Sequence, residues 1–198
     1  MPFHLDTAAD VERLRQSLAD LPEPVSRPNL IILGGLPGTG KSYLSRRLAE
    51  RVPAIILASD ALRKALVRRP VYSWEENRRL FEASHELAED LLRRGVNVIF
   101  DATNLQEAHR EELYHVAERA VAMVVVVWVE APPEVVWERM VGRQQRQDPD
   151  DRSEADWEVY RKLSGTEQLP RRNFFKVNTS RDIQPVIEKI VRAIISAG

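Results

Sequence analysis

Cysteine is absent from this chain of 198 residues, which excludes disulfides and thiolate metal sites and suits a reducing, cytoplasmic setting. No apolar run approaches the roughly 20 residues that cross a bilayer. The strongest, Val121 to Val129, is of buried-strand length, so no membrane partner is expected. The N-terminus carries acids and prolines instead of a basic start and an apolar core, and is not expected to be a secretory signal. An excess of one charge is lacking too. Lys and Arg number 29 against 30 Asp and Glu, a net charge of −1, too small for a global pull on a long polyanion. The four histidines, His4, His85, His109 and His115, have flanks without a metal-ligand pattern. Internal repeats, low-complexity tracts and the Asn-Lys-x-Asp guanine signature are all missing. What remains is the content of one well-buried domain.

Within it stands Gly35-Leu36-Pro37-Gly38-Thr39-Gly40-Lys41-Ser42, a complete phosphate-binding loop. The apolar run Leu30 to Leu33 leads in as a strand and Tyr43 to Leu48 leads out as a helix. Glycines at these places let successive backbone N–H groups turn inward around a phosphate oxygen, and the helix N-terminus adds free N–H groups and partial positive charge. Lys41 is placed to reach the β/γ oxygens and Ser42 to ligate Mg²⁺. Residues Gly35 to Tyr43 are therefore the expected seat of a nucleoside triphosphate.

Strands and helices alternate along the chain, which predicts a parallel sheet with helices on both faces, an αβα sandwich. Five strands are expected, at Leu30–Leu33, Ala54–Ala58, Val96–Phe100, Val121–Val129 and Phe174–Val177. Helical patterns lie between them at about 61–68, 74–94, 105–120, 133–146, 153–165 and 182–196. Residues 1–28 form a separate piece: a helix capped by Asp6 or Thr7, with Val11, Leu14, Leu18 and Leu21 on one face, then a connector stiffened by Pro22, Pro24 and Pro28. The stripe is that of any docked helix, so packing is its expected role. Residues 29–198 form the catalytic domain.

Three further groups gather at the carboxyl ends of the strands, where open α/β folds bind ligands. Ile99-Phe100-Asp101 is an apolar strand ending in an acid, suited to Mg²⁺, and Thr103 and Asn104 follow as two more polar side chains at the ligand-binding edge, expected to contact the acceptor, with capping of the next helix as the alternative. No acidic residue follows Asp101 to polarise a hydrolytic water. Ser59-Asp60-Ala61-Leu62-Arg63 ends the second strand. Asp60 there is a base for an acceptor hydroxyl or an N-cap, and Arg63 a phosphate clamp or its surface partner. Arg139, Arg143 and Arg146 make one basic helical stripe, expected as a lid over the transferring phosphoryl group, with Gln147 to Ser153 as its mobile tip and the whole lid at about 139–153.

Taken together, these motifs resemble the P-loop kinase family that contains the kinase domain of polynucleotide 5′-kinase, zeta-toxin-like proteins and small-molecule phosphotransferases. The resemblance covers roughly residues 29–195. It implies an α/β P-loop NTPase sandwich with a five-stranded parallel sheet in the order 2-3-1-4-5 and a helical lid, with ATP and Mg²⁺ as cofactors. It makes Asp60 the general base, Arg63 the acceptor-phosphate clamp, Arg143 the arginine on the β/γ-phosphates and Arg139 the one over adenine, with Asn178-Thr179-Ser180 facing the base. The implied activity is phosphoryl transfer from ATP to a hydroxyl. The basic set Arg63, Lys64, Arg68, Arg69, Arg78 and Arg79 favours a nucleotide or nucleic-acid 5′-hydroxyl, with a small metabolite, antibiotic or sugar as the alternative. An ATPase switch is the reading from another class. Tyr72 and Trp74 read first as core residues opening a long helix and second as base-stacking rings. His85 reads as a half-buried structural histidine.

Overall fold

The computed structural model describes residues 7–146 and 156–196. In chain order the elements are α1 (Thr7–Gln16), β1 (Asn29–Gly34), α2 (Lys41–Ala49), β2 (Ala54–Ala58), α3 (Ser59–Leu66), α4 (Trp74–Arg93), β3 (Asn97–Asp101), α5 (Glu107–Arg119), β4 (Met123–Glu130), α6 (Pro133–Arg146), α7 (Trp157–Leu163), β5 (Phe174–Asn178) and α8 (Gln184–Ser196). The strands form one parallel sheet in the order β2-β3-β1-β4-β5, as the family resemblance implies. Asp6, the tip Gln147–Ser153 and Arg152 lie outside the described residues.

The period of two along β1 sorts its side chains between two cores. Leu30 and Ile32 join Ile55, Leu57, Val98 and Phe100 under α1, α3, α4 and α5. Ile31 and Leu33 join Ile99, Val127 and Val177 under α2 and α8. A third, small cluster of Val136, Met140 and Tyr160 ties α6 and α7 to Leu36 of the phosphate loop. The N-terminal helix packs through Val11 and Leu14. Its Asp10, only 4% exposed, receives Arg79 of α4 through both carboxylate oxygens at 2.5 Å. This is the packing role its stripe suggests, reinforced by a charge pair that fixes α1 against α4.

Two boundaries shift for physical reasons. The fourth strand begins at Met123, not Val121, because Val121 is 82% exposed and takes φ 53 in the turn leaving α5. The third strand runs on to include Asp101, whose neighbour Leu33 on β1 and neighbour Ala58 on β2 pair across from it. That register puts the start of the phosphate loop, Asp101 and the Ser59-Asp60 turn at one edge of the sheet.

Candidate functional site

The loop between β1 and α2 is shaped by what crowds it. Gly35 has φ 142, and a Cβ there would run into the Val129 carbonyl of β4. At Gly38, with φ 75, a Cβ would lie 2.8 Å from both Val136 and Met140 of α6. The loop is thus pressed between β4 and α6, and only glycine fits both contacts. Thr39 Oγ1 donates to the Leu36 carbonyl at 2.7 Å, and Lys41 Nζ donates to the same carbonyl at 2.9 Å. Ser42 and Tyr43 are exposed at the head of α2.

Burial sets the electrostatics. Lys41 is 9% exposed and Asp101 is 5% exposed. Loss of solvent pushes the Lys41 ammonium below its ordinary value, while Asp101, then Asp60, pull it back and Arg143 opposes them. Burial likewise raises the Asp101 carboxyl, against Lys41, the hydroxyls of Ser42 and Ser45, and Arg46. Ser45 Oγ donates to Asp101 at 3.2 Å. The Lys41 ammonium therefore feels charges from three separate places in the chain: the end of β3, the first turn of α3, and α6. Asp60 stands inside that first turn, after an N-cap position at Ala58, so it is not the cap.

The acceptor side departs from expectation at two residues. Asn104 does not cap α5, whose N-cap position is Gln106 without a side-chain cap bond. With φ 43 and 5% exposure, Asn104 turns its amide back to donate to the Leu33 carbonyl at 2.7 Å, while the Thr103 carbonyl accepts from Gly35 N–H at 2.9 Å. Both residues brace the phosphate loop from below. Arg63 likewise lacks the open fork that a full clamp needs. It is 6% exposed, its Nη1 donates to Glu76 at 2.5 Å and its Nη2 to Asn77 at 2.7 Å, and its guanidinium lies 4.7 Å from the Tyr72 ring centre. Its Nε is buried with no hydrogen-bond partner. Burial works against charge on Glu76, but the Val71 N–H and Arg63 outweigh it and hold the carboxyl below its usual range.

Arg139 reaches the turn after β5. Its two terminal nitrogens donate to the hydroxyl and the carbonyl of Thr179, each at 2.8 Å, and the Thr179 hydroxyl donates to the Thr39 carbonyl at 2.5 Å. One threonine thereby joins α6, the turn after β5 and the phosphate loop. Arg143 is half-buried one turn farther along α6.

One residue was not anticipated. Arg110 has no exposed surface, yet its guanidinium donates to Glu107 (Nε at 3.0 Å, Nη2 at 2.6 Å), to the Gln168 carbonyl at 2.6 Å and to the Asn104 carbonyl. It lies 5.6 Å from the Trp128 ring centre. Gln168 also accepts from Glu107 N–H and donates its own N–H to the Leu105 carbonyl, so Arg110 is the junction between the connection from α7 to β5 and the turn after Asp101.

The arrangement has counterparts. The AAA_33 family model, described as an AAA domain, matches residues 30–166. L-seryl-tRNA(Sec) kinase of Methanococcus maripaludis is 32% identical over 124 residues, 59% of this chain and 47% of that protein. Adenylyl-sulfate kinase of Myxococcus xanthus is 33% identical over 116 residues, 57% of this chain and 63% of that protein. The chain thus spans about half to under two thirds of the length of these relatives. Among solved structures, Mycobacterium tuberculosis APS kinase in complex with AMPPNP and APS superposes with a TM-score of 0.66 at 17% identity, covering 88% of this chain and 99% of that one. Chaetomium thermophilum Kti12 in complex with ADP-AlF3 gives 0.68 at 21% identity, covering 85% and 98%. These structures share the P-loop kinase fold. Since the family match runs over well more than half of the chain, from β1 past α7, the chain belongs to the AAA_33 family of AAA domains.

Proposed function

We propose that this chain is an ATP-dependent kinase that moves the γ-phosphoryl group of ATP to the hydroxyl of a nucleotide or nucleic-acid end. The observation that carries the reading is the placement of the buried Lys41 of the phosphate loop, Asp101 at the end of β3 and Asp60 in the first turn of α3 at one edge of the sheet, with Arg143 among the charges acting on Lys41. A phosphoryl-transfer site needs a cation on the phosphates, an acid at the metal position, a base at the acceptor and a guanidinium over the group in flight. Relatives named as kinases of a seryl-tRNA and of adenylyl sulfate support an acceptor with a nucleotide or RNA component.

In this reading the backbone N–H groups from Gly38 to Ser42, at the turn into α2, cradle the phosphates, and Lys41 leaves the Leu36 carbonyl for the β/γ oxygens. Asp60 orients the acceptor hydroxyl and takes its proton as the new P–O bond forms and the bond to ADP breaks. Arg143 neutralises charge on the transferring group, and Arg139 with Thr179 closes the nucleotide end. Arg63, its guanidinium taken up by Glu76, Asn77 and the Tyr72 ring, serves as a positioning residue that ties α3 with Asp60 to α4. Thr103 and Asn104 shape the acceptor floor through their backbone. Mg²⁺ fits the donor set of a serine hydroxyl beside a buried carboxylate: Ser42 and Asp101 would hold it, and it would screen the phosphate charge.

The test is incubation with γ-labelled ATP, Mg²⁺ and separate pools of 5′-hydroxyl oligonucleotides, 3′-nucleoside monophosphates, and uncharged sugars or alcohols. Label in the first two pools is expected. Label only in an uncharged alcohol would reject the acceptor class, and release of inorganic phosphate with no labelled acceptor would replace the kinase by an ATPase switch.

A further inference from the structure

The segment between α3 and α4 displays what a soluble domain ordinarily hides. Trp74 is 69% exposed, Val71 74% and Tyr72 46%, so the two aromatic residues that read as core at the head of α4 stand on the surface. They are held there at a cost. Tyr72 has φ 55, a conformation unfavourable for a bulky side chain that persists only where the surroundings enforce it. The enforcement is visible: Val71 N–H donates to Glu76 Oε2 at 2.8 Å, Asn77 donates to the Tyr72 carbonyl at 3.4 Å, and Ser73 caps α4 through Glu76 N–H at 3.2 Å. Each ring also has a guanidinium on its face, Arg63 at Tyr72 and Arg78 at Trp74, 5.2 Å from the ring centre. Arg68 and Arg69 are exposed immediately before them.

We infer that this surface is a landing platform for a single-stranded polynucleotide whose end is the acceptor. The inference rests on the proposed kinase reading for its geometry: α3 carries Asp60 in its first turn, and the platform begins where α3 ends. Exposed rings give flat faces on which bases stack regardless of sequence, and the neighbouring arginines track the phosphates between them. The charge is local, in a chain whose net charge is −1, so it marks one face and not the whole molecule.

Binding is measured apart from chemistry. Fluorescence anisotropy of dye-labelled 5′-hydroxyl oligo(dT) and oligo(rA), about 12 nucleotides long to span the site of one such surface, is followed in the presence of a non-hydrolysable ATP analogue. Both strands should bind, more weakly as salt rises. Trp74→Ala should weaken binding about tenfold, in the range of one base–aromatic stack, Trp74→Phe should restore most of it, and Arg68→Ala with Arg69→Ala should flatten the salt dependence. Unchanged thermal melting of each variant shows that the fold is intact. The ratio of kcat/KM for the strand to that for a 3′-nucleoside monophosphate should fall with Trp74→Ala. Failure of both strands to bind, or equal binding by Trp74→Ala, overturns the platform even when mononucleotides are labelled. Strand binding with no labelled acceptor of any kind keeps the platform and rejects the kinase reading.

Discussion

The proposed nucleotide half and the proposed acceptor half of the crevice are built by different means. On the nucleotide side, consecutive residues do the work: the loop from Gly35 to Ser42 is held by backbone N–H groups, glycine conformations and contacts from Val136, Met140 and Thr179. On the acceptor side, residues far apart in sequence hold one another: Glu76 and Asn77 of α4 pin Arg63 of α3, and Asp10 of α1 pins Arg79 of α4. A phosphate site needs the same chemistry in every relative, and local sequence can supply it.

The comparison breaks hardest at Lys41. Lys41→Ala should bring transfer to background, because the ammonium acts on ligand charge. Since burial already disfavours that ammonium in the fold, the melting temperature should hold or rise. Near-normal turnover would remove the phosphate loop from the mechanism. Asp60→Asn probes the other half. It should keep ATP affinity and lower the transfer rate by something on the order of 10²–10⁴, the usual worth of a positioned base. Collapse of ATP binding would instead assign Asp60 to the nucleotide side.

Where the halves meet, Arg110 gives the next effect. Removing one member of a buried, hydrogen-bonded pair leaves an uncompensated charge and costs about 3–5 kcal/mol. Arg110→Met should therefore lower stability by that order in urea unfolding, and adding Glu107→Gln should recover part of it. A double variant as unstable as the single one would show that the orphaned carboxylate is not the cause.

These residues also mark how far the sequence could be read. The phosphate loop was legible because its pattern lies in eight adjacent residues, and the placement of Asp60 and Asp101 at one sheet edge because strand ends in a parallel sheet face one crevice. Arg110 was not. Glu107 and Arg110 at a spacing of three look like any exposed helical pair, and the burial comes from Trp128 and from Gln168, which lies 58 residues away. Asn104 looked like a cap because its type favours caps, but a carbonyl on β1 captures its amide. Tyr72 and Trp74 looked like core because apolar type predicts burial, whereas the turn held by Glu76 lifts them out. The two open alternatives for Arg63 both missed Glu76, since a partner on the next helix leaves no spacing to read.

A smaller effect lies in acid, on the acceptor side. His85 of α4 packs its ring 5.6 Å from that of Phe100 and 6.1 Å from that of Phe81, half-buried as its flanks suggest. Burial first, then Arg119 and His109, lower its pKa to about 4. The unfolded chain binds that proton near the ordinary value, so between pH 6.5 and 4 it holds more protons than the folded one. Stability should fall as the pH drops through that window, by at most about 3 kcal/mol. Urea titrations from pH 7 to 4 should show the slope, and His85→Phe should flatten it. An unchanged slope would place the acid sensitivity elsewhere.

The smallest expected effect sharpens the comparison best, because it should touch one half alone. Thr179 receives Arg139 through its hydroxyl and carbonyl and gives its own hydroxyl proton to the Thr39 carbonyl. Thr179→Val keeps the shape and removes the hydroxyl, so the Thr39 carbonyl and one nitrogen of Arg139 lose a partner near a half-buried lid helix. A lost bond of this kind is worth about 1 kcal/mol, which is a factor of about five to ten in an equilibrium constant. KM for ATP should rise by that factor while KM for the acceptor and the melting temperature hold nearly still. An equal rise in both KM values would mean that the Thr179 junction serves the whole crevice, and the division between a locally encoded nucleotide half and a cross-linked acceptor half would not survive it.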